Sequence, residues 1–102
     1  MLTMLDKAPF SRPDYRQALK LAMGQDEGAV ILIQDGVYAI KAAPEEYKEI
    51  TNQVKEKGCK FFALDADLKA RGISPDQAKA AGVEVVDFSG FLGLIFKYKK
   101  VY

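Results

Sequence analysis

Cys59 is the only thiol in a chain of 102 residues that contains no histidine. A thiolate is the group that attacks sulfane sulfur and carries it as a persulfide, and the flanking cations Lys57 and Lys60 are of the kind that lower a thiol's pKa. The opposing reading starts from its position between the helix-stopping Gly58 and an apolar strand, where cysteine serves as a small buried hydrophobe. Without histidine there is no Ser/His or Cys/His couple and no ordinary near-neutral acid or base. A single cysteine also excludes an intramolecular disulfide and any CxxC zinc or redox pair, so neither metal nor cofactor is expected.

Four further groups have residue types suited to binding. Asp35, Gly36 and Tyr38 follow the apolar run AVILI, and in open parallel sheets ligands bind beyond the carboxyl ends of the strands. Gly36 there allows a partner backbone or an anion to approach closely. The structural alternative is a turn in which Asp35 caps the next helix and Gly36 supplies unusual dihedrals. Asp65, Asp67, Lys69 and Arg71 form a charged turn whose carboxylates either act as acid and base or cap and solvate the turn. Ser11 with Arg12, and the tail KYKK, offer small anion or RNA contacts; a plain N-cap with a solvated arginine, and a solvated helix end, are the favoured accounts of them.

The elements that position these groups follow from periodicity. Met1 to Leu5 reads as a strand, and Pro13 opens a helix to Met23 with Tyr15, Ala18, Leu19 and Ala22 at helical spacing. AVILI at 29–33 is unbroken and needs cover on both faces, which makes it a central parallel strand. A brief helical turn near Val37 to Ala42 leads to Pro44 and an amphipathic helix with Tyr47, Ile50 and Val54 as its stripe, stopped by Gly58. Cys59 to Leu64 is a third strand, followed by a short helical turn closed by Gly72. Ser74, Pro75 and Gln77 then have the form of a capping box. Val83 to Asp87 alternates like a strand, and Phe88, Phe91, Leu92 and Ile95 form the apolar face of a last helix. The order β-α-β-α-β-α-β-α without hairpin signals predicts parallel strands with right-handed crossovers, hence an α/β/α sandwich of about four strands.

With 49% hydrophobic residues, 1–102 suffices for one domain with one core. Fifteen basic against fourteen acidic residues leave a formal charge of +1, too little to draw the protein onto nucleic acid or anionic lipid, so no direct contact with either is expected. The apolar runs fall far short of the roughly 20 residues that span a bilayer. Asp6 interrupts the N-terminus too early for a signal sequence, and a cytoplasmic location follows. With Phe88, Phe91, Leu92, Ile95 and Phe96 the last helix carries more apolar residues than one face requires; Phe88, Phe91, Leu92 and Ile95 are therefore expected to serve a subunit interface as well as the core.

Three stretches, LDKAPF at 5–10, AVILIQDGVYAI at 29–40, and ALDADLKARG at 63–72 with VEVVDFSGFLGLI at 83–95, resemble the TusB/DsrH branch of the DsrE/F/H-type sulfur-relay proteins. The segment IQDGVYA is the most specific of them. The resemblance implies a flavodoxin- or Rossmann-like fold and a role in passing persulfide sulfur toward 2-thiolation of the tRNA wobble uridine, or in dissimilatory sulfur metabolism. It further implies a mainly structural subunit that partners related DsrE/F-type subunits. Some members carry a cysteine in the first helix, and that position falls at or near Ala18 here. Alanine cannot form a persulfide, and the family's usual tryptophan near the C-terminus is missing too. A persulfide carrier through Cys59, or a homo-oligomeric module binding a small ligand or anion near Asp35 and Gly36, are the competing readings.

Overall fold

The computed structural model describes residues 2–6, 28–41 and 45–98. The expected helix 13–23, with Ala18, and the Ser11–Arg12 pair lie outside the described residues, as do the last four residues and the side chains of Tyr47 and Ile50. Four strands, β1 (Leu2–Leu5), β2 (Ala29–Leu32), β3 (Lys60–Leu64) and β4 (Glu84–Val86), form one parallel sheet in the order β1-β2-β3-β4. Leu5 pairs with Leu32, and Leu32 with Ala63, so the segments leaving these strands start side by side.

Between the strands lie a 3₁₀ helix (Gln34–Ile40), α1 (Glu45–Glu56), α2 (Asp65–Ala70) and α3 (Pro75–Ala80), and α4 (Phe88–Lys97) follows β4. Two apolar clusters sort the layers. Val30, Leu32, Phe61 and Ala63 point to the face covered by Val37, Val54, Leu68 and Ala78, whereas Leu2, Ala29, Ile31 and Phe62 point to the face packed by α4. Strand alternation produces this division, because successive side chains leave opposite faces. A strand order that advances one neighbour at a time, with right-handed crossovers, puts the connections β2 to β3 and β3 to β4 on one side; α4 takes the other. The expected three-layer α/β/α architecture is thereby present, and every residue of β2 is buried, as an unbroken AVIL run requires.

Local signals act where the sequence placed them. Ser74 Oγ accepts from the Gln77 amide at 3.2 Å, and Gln77 Oε1 accepts from the Ser74 amide at 2.8 Å, completing the capping box. Gly58 stops α1 with φ +90°. Asp87 caps α4 by accepting the Gly90 amide at 2.7 Å.

Two expectations need correction. The segment after β2 is helical from Gln34 onward, not from Val37, and the residue before this 3₁₀ helix, Ile33, makes no side-chain cap, so Asp35 does not act as one. In α4 the core face is Phe91, Leu94, Ile95 and Tyr98 instead of Phe88, Phe91, Leu92 and Ile95. The i, i+3, i+4, i+7 template is the same, shifted by three residues, because Asp87 fixes where the helix starts and therefore which side meets the sheet.

Candidate functional site

The carboxyl end of the sheet is closed by the 3₁₀ helix. Its Gly36 is buried, and a Cβ built there would sit 1.8 Å from the carbonyl oxygen of Leu5 at the end of β1. That same oxygen accepts the Ile33 amide at 3.0 Å. The close approach expected at Gly36 is thus made by the chain's own backbone, and its φ lies outside the left-handed region. The residue that does adopt a left-handed conformation is Gln34, at φ +47°.

Gln34 is held there from across the sheet. Its amide donates to Asp67 Oδ2 at 2.7 Å. Arg71, after α2, donates from Nε at 3.1 Å and from Nη2 at 3.0 Å to Asp35 Oδ1, and from Nη1 at 3.2 Å to the Asp67 carbonyl. Its guanidinium also lies 3.7 Å from the Asp67 carboxylate and 5.9 Å from the Tyr38 ring centroid. Asp35, Tyr38, Asp67 and Arg71 therefore form one cluster, while Asp65 pairs with Lys69 one turn along α2 at 3.2 Å. With its carboxylate turned to Arg71, Asp35 presents an acceptor and not an anion-binding donor. The sequence separates Asp35 from Asp67 and Arg71 by more than thirty positions; only the β2–β3 register, which starts both segments side by side, brings them together.

Cys59 sits at the opposite end, just before β3, and the length of that strand separates it from the cluster. It is 8% exposed. Burial pushes its thiol pKa up, so the lowering expected from Lys57 and Lys60 does not win. Both lysines are exposed to water, where their charge is screened, whereas desolvation acts directly on the thiolate. Its nearest hydrogen-bond acceptor is the Lys60 carbonyl at 3.9 Å. We expect iodoacetamide to alkylate Cys59 at least about tenfold more slowly in the folded chain than in urea, with a rate profile midpoint above the free-thiol pKa of about 8.5. A folded-state rate equal to the unfolded one would show an accessible, ordinary thiol.

A cleft of about 330 Å³ opens between the 3₁₀ helix, α1 and α3, lined by Leu32, Ile40, Thr51, Asn52, Lys55 and Phe61 among others. Sequence reading did not single it out. Lys55 spans it, donating to the Ala81 carbonyl at 2.5 Å with its ammonium 5.2 Å from the Phe61 ring centroid. Burial lowers the lysine's pKa. The amine is committed to a helix-end carbonyl, and among the described residues the cleft lining carries no carboxylate or thiol to work with it. Among the described residues no group of three potential metal ligands exists, and no helix is long and apolar enough to cross a membrane.

The four residues assigned to an interface divide in two. Phe91 and Ile95 are partly buried against the sheet. Phe88 and Leu92 are exposed, at 64% and 39%, and Phe96 joins them at 85%. Phe96, already among the surplus apolar residues of this helix, lies by its spacing from Leu92 on the same ridge.

Comparison with known proteins fits this architecture. The family described as DsrH like protein matches residues 7–101. The chain belongs to the DsrH-like family. Membership places its role in the area of sulfur relay, and the motifs IQDGVYA and DLKARG that suggested it are the two halves of the Asp35–Arg71 cluster. Among solved structures, the ychN protein from E. coli superposes with a TM-score of 0.78 at 19% identity, covering 98% of this chain and 94% of that one. A conserved protein of unknown function, BT1422 from Bacteroides thetaiotaomicron, gives 0.74 at 14% identity, covering 98% and 90%. These likenesses concern the fold. No curated protein sequence matches.

Proposed function

We propose that this DsrH-like chain is a non-catalytic subunit of a cytoplasmic sulfur-relay assembly. In that role it supports related DsrE/F-type subunits that carry the persulfide, toward tRNA wobble-uridine 2-thiolation or dissimilatory sulfur metabolism. The observation that carries the proposal is the state of Cys59. A sulfur carrier needs an exposed, easily ionised thiol, and this one is buried with its pKa raised. Ala18, at or near the family's occasional cysteine position, supports the same reading. The exposed side of α4 and the Asp35–Tyr38 rim supply surfaces for partners, the first apolar and the second polar.

Affinity purification of the chain from its native lysate tests this. Related DsrE/F-type subunits should co-purify, and incubation with a persulfide donor should leave the mass of this chain unchanged while adding sulfur to a partner. Recovery without any related subunit would overturn the assembly role. A mass gain of one sulfur, lost in Cys59→Ser, would replace it with the carrier reading.

A further inference from the structure

Lys55 is a half-buried cation with no counter-charge among the described residues. It belongs to a stripe along α1, with Lys48, Thr51 and Asn52 at helical spacing, that forms the polar wall of the cleft of about 330 Å³ between α1, the 3₁₀ helix and α3. An ammonium has three N–H donors. One goes to the Ala81 carbonyl, and the Phe61 ring centroid stands 5.2 Å from the nitrogen. Burial lowers the pKa of the amine, and no described carboxylate opposes that effect. Lys48 lines the same cleft but is exposed, where water screens its charge. Lys55 is therefore the cation that the cleft shelters from water.

The floor of the cleft is apolar. Leu32, Phe61 and Val83 form it and are themselves buried. An apolar floor with a few polar groups on one wall is the usual form of a small-molecule site, and the volume falls at the low end of the range for such sites, roughly 300–1,000 Å³. The occupant is thus compact. A cation held away from water without a counter-charge is costly, and an anion beside it offsets that cost. Thr51 and Asn52, one turn before Lys55 on the same wall, add a hydroxyl and an amide as donors for a second oxygen. The Ala81 carbonyl oxygen beside the ammonium opposes a second negative charge. One carboxylate on an apolar body matches this lining; a dianion does not.

We propose that this cleft binds a small organic monocarboxylate: Lys55 takes one carboxylate oxygen, Thr51 and Asn52 hold the other, and a compact apolar body lies on Leu32, Phe61 and Val83. Lys55 here is a binding group and keeps its bond to Ala81. The site lies within one chain, so it does not depend on the assembly role.

Benzoate is the probe, titrated into the full-length chain and followed by amide chemical shifts. Saturable shifts are expected at residues 39–40, 51–55 and 80–83. Benzamide keeps the shape without the charge and should bind at least about tenfold more weakly, the loss of a charge-assisted contact. Phenyl phosphate should bind no more tightly than benzoate. Saturating benzoate should also raise the pKa of the Lys55 amine. Lys55→Met keeps most of the stem, removes the ammonium and should weaken benzoate binding at least about tenfold. That variant also gives up the Ala81 bond, so Thr51→Val with Asn52→Leu, which leaves Lys55 in place, supplies the second arm and should weaken benzoate several-fold. If Lys55→Met does not fold, the double variant decides. Absence of saturable benzoate binding, equal affinity for benzamide, or tighter binding of phenyl phosphate would each overturn the proposal, as would parent-like benzoate binding by folded Lys55→Met or by the double variant.

Discussion

Gly36→Ala is expected to be among the most damaging single substitutions in the described part of the chain. Its Cβ would arrive 1.8 Å from the Leu5 carbonyl oxygen and 2.7 Å from the carbonyl carbon. Both are backbone atoms of a paired strand, so no flexible side chain can yield. Either the 3₁₀ helix lifts, or the end of β1 moves and the 3.0 Å bond from the Ile33 amide to Leu5 is lost. Overpacking of a tight core costs about 1–3 kcal/mol and more where the backbone must shift; the upper end applies here. At roughly 4–8 °C per kcal/mol for a domain of this size, thermal unfolding should show a melting temperature more than about 10 °C lower. Gly93→Ala provides the contrast. That position is in α4, open around its Cβ, and replacing a helical glycine by alanine stabilises by about 0.5–1 kcal/mol. A Gly36→Ala protein that melts with the parent would show that the 3₁₀ helix does not press on β1.

What the sequence made legible was whatever depends on neighbours along the chain. The buried run 29–32, the capping box at Ser74, and the glycine stop at Gly58 each follow from residues a few positions apart, and each stands where expected. Gly36 was noticed, yet the atom it makes room for belongs to Leu5, thirty-one positions earlier, and no local pattern encodes that contact. The face of α4 was misplaced for a different reason. FSGFLGLIF is apolar nearly all round, so two choices of face satisfy the same spacing, and the cap at Asp87 together with the sheet's shape decides between them. Cys59 was legible as a buried hydrophobe from its place before an apolar strand. The strength of its desolvation against two nearby lysines was not, because it depends on which way those lysines point.

Arg71→Ala should cost about 2 kcal/mol, and the estimate follows from where its partners sit. Exposed ion pairs contribute about 0–1 kcal/mol, and breaking a buried pair costs about 3–5 kcal/mol because a charge is left behind without water. Arg71 and Asp67 have side chains 19% and 22% exposed, whereas Asp35 is 56% exposed, so the case falls between these limits. Without the guanidinium, Asp35 turns to solvent at little cost, but Asp67 keeps its half-buried carboxylate and loses its cation. Asp67 also holds the amide of Gln34 in a left-handed conformation that costs of order 1 kcal/mol or more. Loosening Asp67 therefore loosens the 3₁₀ helix, and amides of 34–40 should exchange faster while those of β3 stay protected. Arg71→Lys should not rescue, since an ammonium lacks the planar fork that reaches Asp35 and the Asp67 carbonyl together. A double-mutant cycle of Arg71→Ala with Asp35→Asn should give a coupling of about 1 kcal/mol. A denaturation midpoint for Arg71→Ala within about 0.5 kcal/mol of the parent, the usual range for surface changes, would mean the two motifs merely touch. With the full effect, IQDGVYA and DLKARG are a single structural unit, and the likeness to the family reports one interaction that fixes the carboxyl end of the sheet.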